Sequence, residues 1–261
     1  MFEPITISVI NNNIYHIQTK TQYHLSSTLV RISEFYESNL KGIRGRYFTY
    51  EQYADIYAKK YGNFDYFQQW CGFNVPSNVL LKFIDKFYIS PPSDNAGPWN
   101  KERELLGVMG VINPQLQPYL DKSINRYIIK PSIDKFYMIG TYKDDTFHSI
   151  SHRHELAHAM FGVDSEYKAN VMAAYGKWKD GKSRRMIHRA IKNLGYHDAV
   201  SIDEINAYCA TETKTMLVAS LGMDKSFIRP RIFKNLLDKY MKTNYTINVT
   251  YKINDSTITE I

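Results

Sequence analysis

His154-Glu155-Leu156-Ala157-His158 is the stretch on which the reading of this chain turns. On a helix, histidines four positions apart stack on one face, one turn from each other, and can share a single metal ion. Glu155 sits beside the first histidine, where a carboxylate can take a proton from water activated by that metal. The surroundings fit a helix buried under a cleft: Ser151, His152, Leu156, Ala157 and Ala159 are uncharged, and Met160-Phe161 is apolar. The competing reading is a helix that carries two surface histidines and no metal.

Working outward, 261 residues with 44% hydrophobic content suffice for a real core. Twenty-one tyrosines argue against disorder, which needs low hydrophobicity. No apolar run approaches the length of a membrane span, and the opening Met1-Phe2-Glu3-Pro4 lacks the pattern of a secretory signal. Cys71 and Cys209 cannot form a disulfide framework, so a reducing, cytoplasm-like compartment is expected, of the producing cell or of a host. The net charge of +7 raises the question of a nucleic-acid partner. The basic residues are scattered, however, and their densest group, Lys179, Lys182, Arg184, Arg185 and Arg189, falls on an amphipathic helix where a solvated face explains it.

The periodicity predicts an α+β fold, mainly helical with a small sheet. Residues 5–17 read as strand, turn at Asn11-Asn12-Asn13, and strand. A helix follows from Ser26 to Gly42, then a second from a Thr49/Gln52 capping box to Gly62. Residues 70–76 read as a turn-rich connection before a helix near Ser77. Residues 91–98, with three prolines, are the clearest loop and the expected boundary between a mostly helical lobe, 1–98, and a motif-bearing lobe, 99–261, unless the two are one continuous domain. Beyond a short helix from Lys101, strands are expected at 126–130 and 135–142. The second, just ahead of the motif helix, is either an edge strand that a peptide could extend or an ordinary core strand. Helices are expected at 147–161, 165–178, 183–194, 201–218 and 227–242. The third buries Ile187, Ala190, Ile191 and Leu194 and stops at Gly195. The alternation over 245–259 reads as a closing strand.

A catalytic zinc site needs three protein ligands, so two histidines leave one to find. In Ser201-Ile202-Asp203-Glu204-Ile205-Asn206-Ala207-Tyr208, Glu204 lies on a second expected helix. With His154, Glu155 and His158, this arrangement over residues 135–210 resembles the gluzincin metallopeptidases of the zincin superfamily, whose third ligand is a glutamate on a later helix. The resemblance implies Zn²⁺ held by His154, His158 and Glu204, with Glu155 as general base, in a zincin-like catalytic lobe with the motif helix beside an edge strand. It departs where the family carries an aspartate one turn after the glutamate: here that residue is Tyr208, which could orient a ligand or donate to an oxyanion. Ser201 and Glu204 also spell a capping box, which would give Glu204 a purely structural task.

Other third ligands were open. Asp164 stands at the spacing where metzincins place theirs, but Phe161 occupies their turn glycine and Gly162 comes one residue late; Asp164 also suits the cap of the next helix. Glu166 is weaker still. Deformylases pair the motif with an upstream cysteine, yet their other signatures are missing, and Cys71 reads better as a buried structural cysteine. His152 is rotated about 200° from His154 on a helical wheel, away from the metal face. His148 and His188 read as peripheral. The expectation is a zinc metallopeptidase acting on a protein or peptide substrate. The alternatives are a catalytically inactive zincin-fold interaction protein and a basic nucleic-acid-binding protein.

Overall fold

Asn11 and Asn12 adopt left-handed backbone angles (φ 51° and 63°), which asparagine tolerates better than other side-chain-bearing residues. They fold strand β1 (Ile5–Ile10) back on β2 (Ile14–Thr19), and Asn13 N–H closes the turn on the Ile10 carbonyl. The computed structural model describes residues 4–89, 100–116, 135–146, 148–194, 196–254 and 257–261. The expected loop at 91–98 with its lobe boundary, the strand at 126–130 and the Gly195 stop lie outside them.

The hairpin occupies the middle of a six-stranded mixed sheet in the order β3-β4-β2-β1-β5-β6. Strand β3 is Phe73–Pro76, β4 is Tyr137–Tyr142, β5 is Ile247–Asn254 and β6 is Thr257–Glu260. Only β2 and β4 run parallel. The sheet therefore joins strands from both of the intervals separated at residue 98. Strand β4 is internal, flanked by β2 and β3, so residues 135–142 are not the edge. Its run Tyr137-Met138-Ile139-Gly140 is buried throughout, as a strand covered on both faces requires. Among the described residues the edge beside it is β3, within the stretch that reads in sequence as a connection.

Helices cover both faces. Phe136 and Met138 join a core with α1 (Gln22–Glu37), α2 (Tyr50–Tyr61), the short α3 (Tyr66–Gln69), α4 (Ser77–Ile84) and α5 (Asn100–Ile112). The expected Thr49/Gln52 box caps α2, and Gly62 ends it at φ 94°. The buried Arg31 guanidinium pairs with Glu102, tying α1 to α5. On the opposite face, Tyr137 and Ile139 pack with α6 (His148–Val163), α7 (Ser165–Lys177), α8 (Gly181–Leu194), α9 (Ser201–Thr211) and α11 (Arg231–Asn244). The predicted helix over 201–218 is broken: Thr213 caps a separate α10 (Lys214–Ser220) by accepting from Met216 N–H. On α8, Ile187, Ala190 and Ile191 are buried as the pattern predicts, but Leu194 is 43% exposed, at the wall of a surface cavity. Lys182, Arg185 and Arg189 project from the same helix into solvent. Among the described residues no helix is long and apolar enough to cross a membrane.

Candidate metal centre

Helix α6 runs unbroken through the motif and packs on β3, β4 and α9. The i, i+4 spacing brings His154 Nε2 and His158 Nε2 to 3.2 Å. Glu204, on α9, reaches the same point, its Oε2 3.7 Å from His158 Nε2. One ligand atom from each of the three side chains falls within 4.8 Å of the other two. Ligand atoms roughly 2.0–2.2 Å from a tetrahedral zinc stand about 3.3 Å from one another, so the spacing suits that ion. His154 keeps partial solvent access, while His158 and Glu204 are buried. Helix α9 is preceded by Val200, which supplies no side-chain cap, so the Ser201–Glu204 capping box does not form.

The chemistry of the donor set also fits a cation. The buried Glu155 Oε2 and Glu204 Oε2 have no hydrogen-bond partner among the described residues. Leaving a buried carboxylate oxygen unpaired is costly, and a bound cation would relieve it. Four carboxylates, from Glu37, Glu155, Asp203 and Glu204, crowd around His158. Burial, reinforced by His158, holds His154 well below the ordinary imidazole range and keeps it neutral with a lone pair to give. Burial pulls His158 the same way, but Asp203 and then Glu204 overcome it and raise its affinity for a proton. Burial lifts Glu155 to about 7 against the opposing pull of His158. It lifts Glu37 to about 8, again opposed by His158. A divalent cation among these groups would draw the carboxylates back down.

Asp203 has no assigned part in the sequence reading. Its Oδ1 lies 3.0 Å from His158 Nδ1, at hydrogen-bond distance though off the direction of the ring N–H. A carboxylate there favours the tautomer that leaves Nε2 free to bind metal. Residues adjacent on a helix project about 100° apart, so Asp203 and Glu204 reach the two nitrogens of one ring. That adjacency was the available signal. Glu37 left none, since only the tertiary fold brings the end of α1 here.

The edge strand sets the position of Glu155. A Cβ on Gly72 would stand 2.2 Å from Glu155 Oε1, so any side chain there would displace the carboxylate. Asn74, on β3, lies beside the same carboxylate and favours its charged form. Asn74 Oδ1 in turn accepts from the Tyr137 hydroxyl at 2.8 Å. Tyr208 stands its ring edge-on to His154, centroids 4.7 Å apart, and burial followed by Glu204 keeps its hydroxyl protonated. Tyr196, absent from the sequence reading, adjoins that hydroxyl.

The remaining candidates lie elsewhere. Asp164 caps α7, accepting from Tyr167 N–H at 2.7 Å, and its other oxygen accepts from Tyr240. Gly162 makes no turn: α6 continues through it, and the Tyr137 ring packs where a side chain would stand. Glu166 is exposed, outside the cluster. Cys71 is exposed rather than buried, because it belongs to the segment leading into an edge strand, and its Sγ meets Tyr142 and Gln22 at 3.8 Å. His152 turns to the sheet, its ring 4.4 Å from that of His16. His188 bonds the Tyr175 hydroxyl.

Glu34, one turn before Glu37, offers a test of this electrostatic picture. Burial raises it from an ordinary 4.5 to about 6, against opposing hydroxyls of Ser38, Tyr53 and Tyr66. The folded form therefore holds its proton more tightly than the unfolded form. The stability contribution is full below pH 4.5 and is lost as pH rises through 6, a change of about 2 kcal/mol. Urea unfolding against pH should show Glu34→Gln more stable than wild type above pH 7 by about that amount. Parallel profiles for the two proteins would mean that Glu34 ionises without cost.

Comparison with protein-family models, curated proteins and solved structures returns no match for this chain.

Proposed function

We propose that this chain is a zinc-dependent peptidase with a zincin-like, gluzincin-type centre. The observation that carries the reading is the convergence of His154, His158 and Glu204 from two helices, with the buried Glu155 carboxylate beside them. His154, His158 and Glu204 would hold the metal, and Asp203 would orient His158. When bound, zinc supplies Lewis acidity and lowers the pKa of a coordinated water towards roughly 7.

Glu155 accepts the proton of the attacking water and returns it to the leaving amine. Gly72 and Asn74 keep that carboxylate in place. Tyr208, protonated and packed on His154, would donate to the developing oxyanion. The β3 ladder pairs only with β4 among the described residues, so its outer side can add an extended peptide as a further strand.

The test is direct. Protein purified without chelator should contain about one zinc per chain. Incubated with a complex proteome, it should generate new peptide termini that vanish on adding chelator. Zinc-free protein that cannot be loaded with the metal would end this reading.

A further inference from the structure

Beside the metal cluster lies a cavity of about 300 Å³ between the end of α1, helix α2, Trp70 and the residues around Tyr196. It adjoins the centre through one shared wall: the Tyr208 ring lines it and also packs on His154. Trp70, which lines it too, precedes the edge strand by only Cys71 and Gly72. A peptide added along β3 would therefore pass its mouth.

Its chemistry is unusual for a protein of net charge +7. The walls are aromatic, from Tyr53, Tyr61, Trp70 and Tyr208, and two carboxylates, Glu34 and Glu37, join them. Glu34 is only 7% exposed. Neither carboxylate is ion-paired with a basic side chain among the described residues. Lys60, whose charge acts on Glu34, is held instead beside two lining residues. There it donates to Asn39 Oδ1 at 2.9 Å and lies 5.0 Å from the Tyr61 ring centroid. The mouth thus already holds one ammonium group against an aromatic ring.

We propose that this cavity receives the long cationic side chain, lysine or arginine, of a substrate residue beside the bond that is cut. The inference rests on the peptidase reading above and assigns it a substrate class. An apolar side chain would add no positive charge inside the cavity, where only Lys60 acts on Glu34 and His158 on Glu37 from outside, and an acidic one would be repelled. A lone ammonium needs far less room. A lysine or arginine fills the space with its stem against the aromatic walls and brings its charge to the carboxylates.

Binding and cleavage test it separately. Zinc-loaded Glu155→Gln protein, titrated with Nα-acetyl-arginine amide and followed by NMR, should bind at least tenfold more tightly than with the neutral isostere Nα-acetyl-citrulline amide. That ratio should collapse in Glu37→Gln and in the Glu34→Gln/Glu37→Gln pair, both close in size to wild type. Wild-type cleavage of a proteome should give termini enriched in lysine or arginine next to the cut. Equal binding of arginine and citrulline amides, or equally good binding of glycinamide through its free amine, would overturn the proposal while leaving the peptidase reading intact. Arginine-selective binding without any chelator-sensitive cleavage would uphold the cavity's preference and overturn the peptidase reading instead.

Discussion

Glu155→Gln should retain zinc and wild-type thermal stability while turnover falls by roughly 10²–10⁴-fold. Glutamine keeps the size of the side chain but cannot accept a proton at neutral pH. Its fit against Gly72 should be preserved, because the carboxamide occupies the same space as the carboxylate. The measurement pairs metal content with the count of chelator-sensitive termini. Termini produced equally by both forms would show that Glu155 is not the base. A loss of zinc in the variant would instead make Glu155 part of the metal shell.

Metal affinity should fall in a graded series that follows the geometry. His154→Ala/His158→Ala is expected to reduce bound zinc from about one per chain to none, with the chain still folded. Glu204→Gln should weaken binding strongly, since it removes the only anionic ligand of the three. Asp203→Asn, one step further out, should cost about 10–100-fold in affinity. Asp164→Asn should leave zinc unchanged and lower stability by about 1 kcal/mol or less, because its task is to cap α7. Competition with a calibrated chelator ranks the four. Strong zinc loss in Asp164→Asn with none in Glu204→Gln would reverse the assignment of the third ligand.

Much of this site was legible because it is local. The spacing of His154 and His158 needs only a helix, and Glu204 needs only a second helix that crosses the first. Ambiguity remained where one residue satisfies two patterns. Ser201 and Glu204 fit a cap, and only the observed start of α9 at Val200 removes that role. Whether residues 135–142 form an edge or a core strand stayed open for a different reason. Residues 135–142 lie next to the motif in sequence, whereas the strand at the sheet margin, Phe73–Pro76, comes from far upstream. Strand order depends on long-range pairing, which periodicity does not encode. Glu37, Tyr196 and the cavity walls were invisible for the same reason, since they meet only when α1 and α2 fold against α8 and α9.

The same margin of the sheet carries a hazard as well as an opportunity. A row of backbone groups unpaired among the described residues, proposed above to accept a substrate, can also recruit a neighbouring molecule, the first step of β-aggregation. Strand β3 spans only four residues and ends at Pro76, which has no N–H to offer. Gly72, at its other end, weakens any extension of the ladder. The brevity of the strand thus acts as a guard: a four-residue ladder that stops at a proline offers a neighbouring molecule little backbone to pair with.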